Sequence, residues 1–112
     1  MRYEELKTIS HEETERALSD GTAGEAARAL LSAALHDSDP LWVERKCLGA
    51  LHDSREEVRA AAITSRGHVA RIHHAVTSEV VIPQLLRLKD DPQLGGLAED
   101  ALDDILMFTS ST

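Results

Sequence analysis

The residues of this chain best able to do chemistry are six histidines, one cysteine and a run of carboxylates near its C-terminal end. A helical metal site needs two ligands on one face, at i,i+3 or i,i+4, as in His-Glu-x-x-His. The histidines never keep that spacing: His68 and His73 are five apart, and His73 and His74 are adjacent. His36, His52, His73 and His74 fall instead where helices are expected to end, and a cation there complements the helix dipole. Cys47 has no second thiol to share a metal or a disulfide, and its apolar register suits a small buried hydrophobe. Gly-x-Ser-x-Gly, a phosphate-cradling loop and a dinucleotide fingerprint do not occur. No catalytic set, metal site or cofactor site follows, and the expectation is a protein that is not an enzyme.

The carboxylates are more informative. On a helical projection Ala98, Ala101, Leu102 and Ile105 share one face, and Glu99, Asp100, Asp103 and Asp104 share the other, with no Lys or Arg among them. Glu99/Asp103 and Asp100/Asp104 are like-charge i,i+4 pairs, each costing roughly 0.2–0.5 kcal/mol. Asp103 and Asp104 also stand near a helix C-terminus, where the dipole disfavours anions. Two readings stay open: a solvated face, or a partner-binding face that steers a basic protein and repels anionic competitors.

Charge and composition narrow the partner. Lys and Arg total 12 against 20 Asp and Glu, a net charge of −8, which opposes phosphate backbones and anionic lipid. With a single Phe, Tyr and Trp the chain lacks the rings that stack single-stranded bases. The expected partner is a basic protein, with neither nucleic acid nor membrane as ligand. The lone cysteine fits a reducing compartment, and no stretch approaches 18 apolar residues. A cytoplasmic location is expected.

The elements that position these residues are helices. Ala, Leu, Glu and Arg dominate, and no strand-like alternation occurs. Ser10…Glu13, Thr22…Glu25 and Ser54…Glu57 have capping-box spacing, and Asp39-Pro40 places proline at a first helical position. Val58, Ala62, Ser65, Val69 and Ile72 form one apolar stripe. Ser78 is expected to cap a helix carrying Val81, Ile82, Leu85 and Leu86, with a kink at Pro83. Asp91-Pro92 precedes the last helix. Trp42, three residues after Asp39, is expected in the core, and Gly67 inside a helix predicts close approach by a neighbour. Arg55, Arg59, Arg66 and His73 line one edge of the stripe, and Arg71 falls near His68. The result is six helices in three pairs, with Asp20, Asp53 and Asp91 at the turns, spaced 33 and 38 residues apart. One domain over residues 1–108 is expected, with a disordered tail at 109–112.

The stretch Asp53-Ser54-Arg55-Glu56-Glu57-Val58-Arg59-Ala60-Ala61-Ala62 resembles the Asp…Val-Arg-x-x-Ala pattern of HEAT repeats. Leu85-Leu86-Arg87-Leu88-Lys89-Asp90-Asp91-Pro92 is similar to the Leu-rich first helix and Asp-Pro turn of that family. The resemblance implies an all-α, short HEAT-like solenoid of three hairpins. It also implies a structural ladder in which Arg59 reaches Asp53, and Gly95 stands where the third repeat would have its Arg. Asp39-Pro40-Leu41-Trp42, Gly67-His68-x-Ala-Arg71-x-His73 and Glu99-Asp100-Ala101-Leu102-Asp103-Asp104-Ile105 resemble a group of small bacterial HEAT-like proteins, some of which are immunity proteins to secreted toxins.

The function expected from the residues and the resemblance together is protein binding, specifically inhibition of a cognate bacterial toxin. A nuclease fits best, because a groove that holds phosphates is cationic and an acidic protein imitates them. The alternatives are an adaptor in a larger assembly and a lyase-like HEAT enzyme. A toxin gene beside this one favours the first, and a biosynthetic cluster favours the others.

Overall fold

Capping chemistry sets where the helices begin. The computed structural model describes residues 7–73 and 78–109, which form α1 (His11–Asp20), α2 (Ala23–His36), α3 (Pro40–Ala50), α4 (Glu56–His73), α5 (Ser78–Leu88) and α6 (Gly95–Thr109). No strand occurs among the described residues. Before α1, Ser10 Oγ accepts from the Glu13 N–H and Glu13 Oε1 accepts from the Ser10 N–H, both at 3.0 Å. Thr22 and Glu25 repeat the box before α2, at 3.1 and 2.9 Å. The backbone N–H groups of Ser10 and Thr22 hold the Glu13 and Glu25 carboxyls below their usual range. Asp39 caps α3 by accepting from the Trp42 N–H at 3.2 Å, with Pro40 in the first turn.

The third expected box gives way to a different turn. Helix α4 starts at Glu56, which leaves Ser54 two residues outside it, and the Asp53 carboxylate accepts from the Arg55 N–H at 2.9 Å. A short carboxylate reaching two residues on is the commoner way for Asp to close a turn. The described part of α5 begins at Ser78, so its expected cap borders residues outside those described; Pro83 lies inside that helix, which continues to Leu88. Asp91 Oδ1 accepts from the Gln93 and Leu94 N–H groups at 2.8 and 2.9 Å, and α6 follows. Thr109 is the last residue of α6; residues 110–112 of the expected tail lie outside those described.

Helix α4 is the centre of the molecule: α2, α3 and α6 all pack on it, while α1 packs on α2 and α5 on α6. Its buried residues therefore run round more than one face, from Val58, Ala61, Ala62 and Ile63 to Val69 and Ala70. The single expected stripe was too narrow. Ile72, assigned to it, is 41% exposed. The Cα radius of gyration is 12.9 Å, close to the value of about 13 Å for a closed globule of some 100 residues.

Two arginines tie successive turns together. Arg55 Nε and NH2 donate to the Asp53 carboxylate at 2.9 and 3.0 Å, and the same side chain donates to the Gly21 and Leu18 carbonyls at 3.0 and 3.2 Å. The Arg55 bonds hold the Asp53 carboxyl at about 2. Arg59 donates to the Asp53 main-chain carbonyl at 2.8 Å, so Asp53 engages Arg59 through its backbone and Arg55 through its side chain. Asp91 is held below its usual range by the Leu94 and Gln93 N–H groups, with the Arg59 charge adding to them.

Arg66, read as an edge residue, is 1% exposed. Its NH1 donates to the Glu44 carbonyl at 3.0 Å and its NH2 lies 3.5 Å from Glu44 Oε1, an ion pair closed off between α3 and α4. Cys47 is fully buried beside this pair, and burial pushes its thiol up to about 11. A thiol so seldom ionised at neutral pH is inert, as its apolar register predicts.

Candidate partner-binding face

Helix α6 is anchored by its apolar face. Ala98, Ala101 and Ile105 are buried, and Leu102 is half-buried against them. The four carboxylates opposite do not share one environment. Glu99, Asp100 and Asp103 are exposed, whereas Asp104 is half-buried. The reason is Gly67. A Cβ built at Gly67 would stand 2.8 Å from Asp104 Oδ2 and 3.6 Å from the Ala101 Cα. The missing side chain lets α6 lie close against α4, the approach expected from a glycine inside a helix.

His68 is buried on this seam, and Arg71 donates to its Nδ1. Burial pushes the His68 pKa down, the Arg71 charge lowers it further, and Asp104 opposes both. Asp104 is thus electrically coupled to α4. Glu99 and Asp103, one helical turn apart, face α5 instead.

Between α5 and α6 runs an open cleft of about 440 Å³, lined by the half-buried Ile82 and Leu102, by the exposed Leu86 and Leu106 on its two walls, and by a rim of exposed Lys89, Glu99 and Asp103. Leu86 is 51% exposed, Leu106 62%, and the neighbouring Met107 73%. Apolar and charged side chains thus share one exposed surface between the two helices. Leu85 and Leu86 are apolar neighbours on α5 that point about 100° apart, and Leu85 is the one enclosed, at 0% exposure. The run Ile105-Leu106-Met107-Phe108 carried the remaining signal: four consecutive apolar residues must wrap round a helix, and some must face out.

The opposite end of the molecule is built otherwise. Trp42 is half-buried rather than enclosed, with the His11 ring stacked on it at 3.5 Å between centroids and 3° between planes. Lys46 Nζ lies 5.6 Å from the Trp42 ring centroid and pairs with Glu15. His11 Nε2 is 2.8 Å from Asp37 Oδ2. These contacts join α1 to α3 and to the turn after α2. No sequence period could have paired His11 with a tryptophan 31 residues away.

No group of three His, Cys, Asp or Glu side chains that could hold a metal ion occurs among the described residues. Among the same residues no helix is long and apolar enough to cross a membrane.

No family model matches the chain, and the curated proteins hold no match to it. Among solved structures it is similar to a chain in the crystal structure of a CDI complex from Cupriavidus taiwanensis LMG 19424. The two are 32% identical and superpose with a TM-score of 0.87, covering 100% of this chain and 99% of the other. Identity at that level over both complete lengths exceeds a shared helical architecture, and this chain belongs to the same family as that component of a CDI complex.

Proposed function

We propose that this protein is an immunity-type inhibitor, the partner that binds and neutralises a cognate toxin in a contact-dependent inhibition pair. The end-to-end likeness to a chain of a CDI complex carries the reading. The charge supports the inhibitor's role over the toxin's: a protein of net charge −8 complements a cationic domain. A nuclease toxin fits best, since its substrate groove has to attract phosphates. The proposed docking face is the acidic side of α6, with Glu99, Asp100 and Asp103 outermost and Asp104 toward α4. Inhibition of this kind requires occlusion and no chemistry by the inhibitor itself.

The same proposal reads the six helices as three HEAT-like hairpins. Its support is the packing of each odd-numbered helix on its successor, the contacts of α4 with both α2 and α6, and the Arg55 side chain joining the turn before α4 to the end of α1.

The test is protection. A strain expressing the polypeptide encoded beside this gene should stop growing, and co-expression of this chain should restore growth. Unchanged growth arrest, with this chain present in soluble form, would overturn the reading.

A further inference from the structure

We infer that the α5–α6 cleft is the seat for an amphipathic, basic segment of the toxin, one that places an apolar side chain between Leu86 and Leu106 and Lys or Arg against Glu99 and Asp103. This inference rests on the immunity reading and names the surface and the partner chemistry within it.

Three observations lead there. First, the cleft is lined by apolar and by charged side chains together. Leu86 and Leu106 stand more than half exposed on its two walls, so burying them is the gain that a partner supplies. Second, the rim is negative on balance, with two carboxylates against Lys89. Among the described residues neither Glu99 nor Asp103 has an ion-pair partner within the chain. Their i,i+4 spacing sets them about 5–6 Å apart at Cβ, a separation that suits two basic side chains one helical turn apart. Third, the fourth carboxylate is committed elsewhere. Asp104 sits on Gly67 and acts on His68, so the acidic side of α6 divides into a cleft-facing pair, the exposed Asp100 and a seam-facing residue.

The volume limits the occupant further. At about 440 Å³ the cleft takes the side chains of one face of a segment and leaves its backbone outside, since a helix with its side chains is about 10–12 Å across. The contact is therefore side chains into a cleft, as when an amphipathic helix lies along an apolar groove. A second copy of this chain is the poorer occupant, because it would bring carboxylates against carboxylates.

The experiment uses this chain and the purified polypeptide encoded beside its gene. A photo-crosslinking amino acid replaces Leu106 in one variant and Leu41, 58% exposed on α3, in another. Affinity is measured in parallel for wild type, for Leu86→Ser with Leu106→Ser, and for Glu99→Gln with Asp103→Asn, each with a thermal melt. The expected result is a cross-link from position 106, and not from 41, to a partner peptide containing Lys or Arg. The serine pair should lose at least about tenfold in affinity, and the amide pair should lose about tenfold and flatten the salt dependence. Melting should stay that of wild type in both. A tight complex indifferent to both pairs, or cross-linked from position 41 alone, overturns the cleft while leaving the immunity reading in place. A cross-link from 106 to a second copy of this chain also overturns it. Absence of any complex between the two polypeptides overturns both proposals.

Discussion

Among the described residues, the contacts of 7–73 and of the α5–α6 hairpin differ in kind. In the first region polar contacts cross from one element to another. Ser32 donates to the Lys7 carbonyl, Lys46 pairs with Glu15, Arg55 reaches the end of α1, and Arg66 is sealed against Glu44. The hairpin is anchored by apolar side chains, Val81, Leu85, Leu94, Ala98, Ala101 and Ile105. Among the described residues it also carries three of the five large apolar side chains that stay exposed. On the proposal made above, the first region holds the fold and the second meets the partner.

The sharpest way to break this comparison is at the buried ion pair. Glu44→Ala or Arg66→Met alone should cost about 3–5 kcal/mol, because the remaining charge is left without its partner. Changing both together to apolar residues of similar size should recover most of that loss. Chemical denaturation of the two single variants and the double variant checks it. Near-equal stability of all three would mean that the pair holds nothing.

Next in size is the seam joining the two regions. Gly67→Leu should cost about 2–3 kcal/mol, since overpacking at a close helix crossing has nowhere to relax. Gly67→Ala should be much milder. Its Cβ meets chiefly the movable tip of Asp104, and alanine regains about 1 kcal/mol of helix propensity. Thermal melting distinguishes them, and equal losses would show that backbone strain rather than approach by α6 selects glycine.

A smaller effect belongs to the turn between α3 and α4. The Asp53 carboxyl is lowered from 3.8 to about 2 by Arg55. A carboxyl depressed in the folded state stabilises above its unfolded pKa, and that contribution is lost as pH falls through its folded pKa. Asp53→Asn should therefore cost about 1–2 kcal/mol near neutrality, with the gap to wild type closing between about pH 4 and pH 2. Melts across that range read it directly. A gap that stays constant down to pH 2 would mean the Arg55 contact is not what holds the turn.

What could be read from the sequence follows the range of the interactions. The Ser10 and Thr22 boxes and the Asp39 cap depend on residues three apart, so spacing reveals them. Gly67 also spoke locally, because glycine inside a helix costs enough to require a reason. The Ser54 box was lost to Asp53, since two acceptors near one turn compete and only geometry decides between them. Arg66 with Glu44, and His11 with Trp42, depend on packing across α3, which no period encodes. On α6 the alternation of faces correctly grouped the acids opposite the core. It could not divide them, because the division comes from α4 on one side and α5 on the other.

The central claim is that the α5–α6 side is the presented surface, and a charge-matched comparison tests it most directly. Affinity for the polypeptide encoded beside this gene is measured for Glu99→Gln with Asp103→Asn on α6, and for Glu12→Gln with Glu15→Gln on α1. Each variant removes two exposed carboxylates, so the long-range charge changes equally. The prediction is a loss of about tenfold on α6, near 1.4 kcal/mol from two contacts at an interface rim, and a change within about twofold on α1. Equal losses at both ends would contradict the claim, for then the partner responds to net charge and not to this face.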